Sequence, residues 1–288
     1  MNRRELLLAS AAACGLAGAA PRETSARLAA APRAYKLGIV TYNIAAQWDV
    51  PTILRICRAV GIAGVELRTT HKHGVEPTLS QAERREVRRR FEDSGVTLWG
   101  LGTVCEFHAT DPAVVQRNIE TCKQFLQLSA DLGGRGVKVR PNGLPREVPV
   151  ERTLDQIGKA LIPCGRATAD LNQEVWVEVH GSGTSHPPHM ATIMEHCGLP
   201  SVGITWNSNT TDIKEGSVAP YFELLRPWIK SCHINELHSN YPWRELFTCL
   251  NQAGYDRYTL AEIPGMPDAA TGERLLRYYK ALWLELTR

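Results

Sequence analysis

Four polar side chains close four successive apolar runs in the second half of the chain: Glu178 in VWVEVHG, Asn207 in VGITWNSN, His233 in IKSCHINEL and Glu262 in YTLAEIPG. Such Val, Ile and Leu runs read as buried parallel strands, where an unpaired carboxylate or imidazole is costly to desolvate, so four in succession mark a site. Two carboxylates, an amide oxygen and an imidazole make a mixed oxygen and nitrogen shell for a divalent cation such as Mn²⁺, Mg²⁺ or Co²⁺. A cation chelating a carbonyl and its neighbouring hydroxyl makes the intervening C–H acidic by stabilising an enediolate. One of Glu178 and Glu262 would then remove that proton and the other return one. Return to the opposite face of the same carbon is epimerisation, and return to the adjacent carbon is isomerisation. Loss of a β-substituent is elimination from a keto sugar. The residues do not choose among the three.

From Lys36 onward, short apolar runs alternate with longer helical stretches. Strands are expected over residues 36–43, 64–68, 96–102, 136–140, 175–180, 202–207, 229–235 and 258–263. Helices are expected near 50–60, 80–93, 112–132, 151–170, 188–197, 220–227, 242–253 and 269–287. Pro51, Ser80, Asp111 and Pro220 stand where helices start, and Gly61, Gly95, Gly133, Gly198 and Gly254 stand where they stop. Eight βα units within residues 35–288 predict an α/β fold, a single-domain (β/α)₈ TIM barrel. No GxGxxG follows the first strand to suggest a dinucleotide site.

Side chains alternate across a strand, so Trp176, Glu178 and His180 face the barrel interior while Val175, Val177 and Val179 face the helices. The same parity turns Glu66 and Arg68, Lys138 and Arg140, and Ser231, His233 and Asn235 inward. The active face of such a barrel is the carboxyl end of its strands. Substrate contacts are accordingly expected from Glu66, His71, His73, Lys138, Arg140, His180 and Glu236. Bland alternatives stand beside them. Glu66 and Arg68 can pair with each other, Lys138 and Arg140 can neutralise buried carboxylates, His180 can support Glu178, and the loop holding His71 and His73 can be a solvated surface. Asn209 or Asp212 can replace Asn207 as the fourth ligand. Trp99, Trp206 and Trp243 are either sugar-stacking surfaces or core.

The order Glu, an Asp-like position, His and Glu on the fifth to eighth strands resembles the xylose isomerase-like barrel superfamily, in its sugar phosphate isomerase/epimerase branch, over the whole barrel. The resemblance implies a divalent cation held by Glu178, Asn207, His233 and Glu262, with the two Glu residues shuttling protons at neighbouring sugar carbons. The family usually carries Asp where Asn207 stands. An amide keeps a carbonyl oxygen donor but lowers the site's negative charge by one, which weakens cation binding.

Residues 1–20 have the layout of an export signal: Arg3 and Arg4, an apolar stretch from Leu6 to Ala20, and small residues at Ala17, Gly18 and Ala19. The adjacent arginines favour the twin-arginine route to a periplasmic or extracellular location, with a lipid anchor at Cys14 as the weaker alternative. Residues 21–34 read as a linker. No later run has the length of a membrane span. A net charge of +3 with interspersed signs gives no nucleic-acid footprint, and Arg84 to Arg90 alternate with Glu83 and Glu86 as a solvated helix face. The seven cysteines beyond Cys14 lack CxxC spacing and read as buried small hydrophobes. The expected partner is a small sugar or keto sugar, unphosphorylated if the protein is exported. A homo-oligomer is compatible with the helix pattern but not singled out by it. Two other functions compete with a sugar isomerase, epimerase or lyase: an inactive carbohydrate-binding barrel, and a metal-dependent phosphodiesterase or endonuclease, which needs more His and Asp than these strand ends supply.

Overall fold

Residues 33–288 are described by the computed structural model, and the expected export signal, Cys14 and most of the linker lie outside the described residues. Strands and helices alternate: β1 (Lys36–Val40), α1 (Val50–Val60), β2 (Gly64–Arg68), α2 (Gln81–Ser94), β3 (Thr97–Glu106), α3 (Pro112–Leu132), β4 (Gly136–Arg140) and α4 (Val150–Arg166). They continue as β5 (Glu174–Glu178), α5 (Pro187–Cys197), β6 (Val202–Asn207), α6 (Ala219–Leu225), β7 (Ile229–Ile234), α7 (Trp243–Gln252), β8 (Tyr258–Ala261) and α8 (Ala269–Leu286). Each strand pairs in parallel with the next, and β8 pairs with β1, closing the expected barrel.

Local chemistry sets the boundaries. The Asp49 carboxylate caps α1 by accepting from Thr52 N, and Ser80 and Glu83 form a reciprocal capping box on α2. Gly133 ends α3 with φ 78°, a left-handed conformation that an L side chain resists. Several ends differ from expectation, among them β5, which closes at Glu178 rather than residue 180, and β8, which closes at Ala261 rather than residue 263. β1 stops at Val40 because the chain turns at once, Thr41 O accepting from Ala45 N. α4 stops at Arg166 rather than Asp170, as the Thr168 hydroxyl bonds Gly165 O and Asn172 turns the chain at φ 50°. β3 runs on to Glu106, where it pairs with Arg140 after a register shift.

Large aromatics fill the barrel interior. Trp99 and Trp176 stack with centroids 4.8 Å apart, packed with Tyr258, Leu260 and Val40. Glycines on neighbouring strands make the room: a Cβ on Gly100 or Gly136 would stand 2.6–2.7 Å from the Trp176 ring. Below this layer, at the amino end, Glu174 accepts from Trp176 Nε1 at 2.8 Å and pairs with Arg257 at 2.6 Å and Arg135 at 3.1 Å. Trp99, Trp206 and Trp243 are all buried in the core, which removes them as sugar-stacking surfaces. All seven described cysteines are buried. Among the described residues no helix is long and apolar enough to cross a membrane.

Candidate functional site

Above the aromatic layer, at the carboxyl end, the strand registers bring the four residues together. Glu178 on β5 lies beside Thr205 of β6, which sets Asn207, two residues on, on the same inward face. Asn207 pairs with His233 of β7, and His233 with Leu260 of β8, whose inward column continues to Glu262. The backbone N–H of Glu262 donates to Ile234 O at 2.9 Å, which holds that residue against β7 although the strand has ended.

The His233 ring is fully buried and stands at the centre. Its Nδ1 lies 3.4 Å from Glu178 Oε1 and 3.7 Å from Glu262 Oε2, while its Nε2 lies 3.3 Å from Glu66 Oε2 on β2. One donor atom from each of Glu178, His233 and Glu262 lies within 4.8 Å of the others. Asn207 Nδ2 donates to Glu178 Oε1 at 3.3 Å, and Lys138 Nζ donates to Glu178 Oε2 at 2.7 Å. Glu262, with its side chain 18 % exposed, is the quartet member most open to the mouth. Asn207 Oδ1, His233 Nδ1 and Glu66 Oε1 are buried without a hydrogen-bond partner. Unpaired buried polar atoms are costly, and His233 Nδ1, set among the Glu178 and Glu262 carboxylates, suits a bound cation. The donor set therefore fits a divalent metal, with Glu66 holding the far nitrogen of the imidazole and Nδ1 facing Glu178 and Glu262.

The electrostatics follow. Burial alone would raise the Glu178 carboxyl, but the Lys138 ammonium and the His233 ring outweigh it and hold it well below the usual carboxylate range. Burial would likewise depress His233, and the carboxylates of Glu66, Glu178 and Glu262 reverse this and raise it.

The other expected residues divide. Lys138 neutralises Glu178, the alternative weighed for it. Glu66, fully buried, pairs with His233 Nε2 rather than with Arg68. Arg68 instead donates to Thr70 Oγ1 at 2.7 Å, with its guanidinium carbon 5.3 Å from the centre of the Tyr42 ring. Both nitrogens of His73 are spent on its own loop: Nε2 donates to Arg68 O at 2.9 Å and Nδ1 accepts from Val75 N at 3.0 Å. His71 bonds the Thr41 hydroxyl at 3.0 Å and stacks on half-exposed Tyr42; burial, His73 and Arg68 push its pKa down to about 4. Glu236 pairs with His238 at 3.1 Å at the partly exposed rim. Arg140 donates to Glu106 Oε1 at 2.6 Å, and His180 Nδ1 lies 2.8 Å from Asn142 Oδ1. Asn209 and Asp212 do not replace Asn207. Asn209 Nδ2 donates to Val179 O at 2.6 Å, and Asp212 Oδ2 accepts from Asn209 N, at the start of its own turn, and from the distant Tyr241 hydroxyl.

Glu106 and Asn142 enter the mouth without having been singled out. Glu106 becomes legible only once β3 is read to its full length, and the Asn-Gly pair at Asn142 signals a turn and nothing about its side chain.

A family profile described as a xylose isomerase-like TIM barrel matches residues 54–282. No curated protein matches the chain in sequence. Among solved structures, a D-psicose 3-epimerase with D-fructose is 16% identical at TM-score 0.73, covering 88% of this chain and 99% of that one. An L-ribulose 3-epimerase is 16% identical at TM-score 0.72 over 88% and 94%. A 3-keto-D-glucoside 4-epimerase from E. coli is 16% identical at TM-score 0.70 over 86% and 99%. At such identities the likeness is one of fold.

Proposed function

This chain belongs to the xylose isomerase-like TIM barrel family, and we propose that it is a metal-dependent sugar isomerase or epimerase, or a related keto-sugar lyase, moving a proton at a carbon next to a carbonyl. The observation that carries this reading is the convergence of Glu178, His233 and Glu262 donor atoms within 4.8 Å, beside the unpartnered Asn207 Oδ1. These four residues would hold a divalent cation, Mn²⁺, Mg²⁺ or Co²⁺, which when bound supplies a Lewis acid for a carbonyl and its neighbouring hydroxyl.

The protein's own groups supply the rest. Glu178 and Glu262 both approach His233 Nδ1, at 3.4 and 3.7 Å, so a sugar carbon held there would meet one carboxylate to take its proton and another to return one. Lys138 keeps Glu178 ionised and ready to accept. Glu66 orients His233. We place the substrate among free sugars, keto sugars and their glycosides. Arg3, Arg4 and the apolar stretch to Ala20 support export by the twin-arginine route, away from the cytoplasmic pool of phosphorylated sugars. Similarity of fold to epimerases that act on D-psicose, L-ribulose and 3-keto-D-glucosides supports the same class of chemistry.

The test is metal analysis of the wild type together with incorporation of deuterium from D₂O into D-fructose, D-psicose, L-ribulose and 3-keto-D-glucosides. The expected result is a stoichiometric divalent ion and exchange in at least one sugar, lowered roughly 100-fold or more in Glu178→Gln and in Glu262→Gln. Exchange untouched in both variants removes the acid/base assignment. The amide at Asn207 favours a second reading, a barrel that binds sugar without turnover, and sugar binding with neither metal nor exchange would select it.

A further inference from the structure

We propose that His180 is a substrate-contacting residue whose Nε2 accepts a hydrogen bond from a sugar hydroxyl, and that Glu106 and Asn142 are positioning residues that hold its imidazole in the one tautomer able to do so. The proposal rests on the reading above, in that it places a polyhydroxyl substrate at this mouth.

The chain of hydrogen bonds selects one tautomer of the neutral ring. Glu106 Oε1 accepts from Arg140 at 2.6 Å and from Asn142 Nδ2 at 2.6 Å. A carboxylate held by a guanidinium has no proton to offer, so the amide must turn its NH₂ toward it. Asn142 Oδ1 then points the other way, to His180 Nδ1 at 2.8 Å. A carbonyl oxygen only accepts, so Nδ1 carries the proton and Nε2 of the neutral ring is a bare acceptor. Nε2 has no hydrogen-bond partner among the described residues and is not among the sealed-off polar atoms. The ring is half-buried, two residues past Glu178 at the carboxyl end of β5.

The backbone holds the relay in place. Asn142 adopts φ 62° and bridges to Gly181, and a Cβ on Gly181 would stand 2.6 Å from Asn142 Cα. The residue after His180 must therefore be glycine for Asn142 to approach the ring. Since Glu106 neutralises Arg140, this side of the mouth presents an acceptor rather than a positive charge. It suits a hydroxyl, which can donate, and disfavours a carboxylate, phosphate or ketone oxygen at that position, which cannot.

NMR of protein labelled with ¹⁵N-histidine, at mildly alkaline pH and with His180 assigned through its loss in His180→Gln, reads the tautomer directly. The expected state is Nδ1–H with bare Nε2, and the Nε2 resonance moves on titration with D-fructose, D-psicose or L-ribulose. In Asn142→Gly, which accepts the left-handed backbone and should melt like the wild type, the tautomer preference is lost and binding of the same sugar weakens roughly three- to tenfold. An Nε2–H tautomer in the wild type, a preference unchanged in Asn142→Gly, or an Nε2 resonance that no sugar moves overturns the proposal. A sugar that moves this resonance without exchanging deuterium upholds it while removing the proton-transfer reading.

Discussion

Replacing Asn207 by Asp puts a third carboxylate into the quartet and tests how the site balances its charge. Asn207 Nδ2 lies 3.3 Å from Glu178 Oε1, so an ionised Asp there sets two anions that far apart. At an effective dielectric of ~20 their repulsion is about 5 kcal/mol. Taking up a proton relieves it, and for a carboxyl of ordinary pKa ~3.9 at pH 7 that costs about 4 kcal/mol, so protonation sets the ceiling. Lys138, 2.7 Å from the other oxygen of Glu178, absorbs part of the excess charge. We therefore expect metal-free Asn207→Asp to lose about 2–4 kcal/mol of stability, a fall in Tm of roughly 5–10 °C for a domain of this size. A divalent cation inverts the sign, because a third carboxylate then adds attraction: Mn²⁺ should bind about tenfold more tightly or better and raise the variant's Tm by more than that of the wild type. Scanning calorimetry in EDTA and in Mn²⁺ measures both. Equal stability of the two proteins in EDTA, or equal stabilisation of both by Mn²⁺, would refute the convergence of these side chains on one cation.

Glu66→Gln replaces the charged partner of His233 Nε2, and chelator competition should show divalent-cation affinity falling roughly 10- to 100-fold; unchanged affinity would leave Glu66 as packing alone. At the other end of the barrel, burial would raise the Glu174 carboxyl, but Arg257, Trp176 and Lys230 lower it from 4.5 to about 2. A depressed folded pKa gives stability that is complete above the unfolded value and lost as pH falls through the folded one, here up to about 3 kcal/mol between roughly pH 5 and 2. Glu174→Gln should flatten that part of a urea-unfolding series across pH, and an unaltered slope counts against it. Gly100→Ala drives a Cβ to 2.6 Å from both Gly136 O and the Trp176 ring, and should cost about 1–3 kcal/mol in chemical denaturation.

The eight strands, the helix caps and the inward faces of β2, β4, β5 and β7 are legible in the sequence because the two-residue alternation of a strand and the capping of a helix are local properties. The quartet Glu178, Asn207, His233 and Glu262 is legible for the same reason, since a charged or amide side chain late in an apolar strand stands out wherever the strand sits. What those side chains meet is not local. Glu66 faces His233, 167 residues away, instead of Arg68 on its own strand, and the extension of β3 carries Glu106 to Arg140 and Asn142. Trp99 enters the barrel floor at the register shift between Val65 and Glu66 and stacks there on Trp176. Closure of a barrel couples strand tilt, stagger and bulges around the whole ring, so facing partners are chosen only when β8 meets β1.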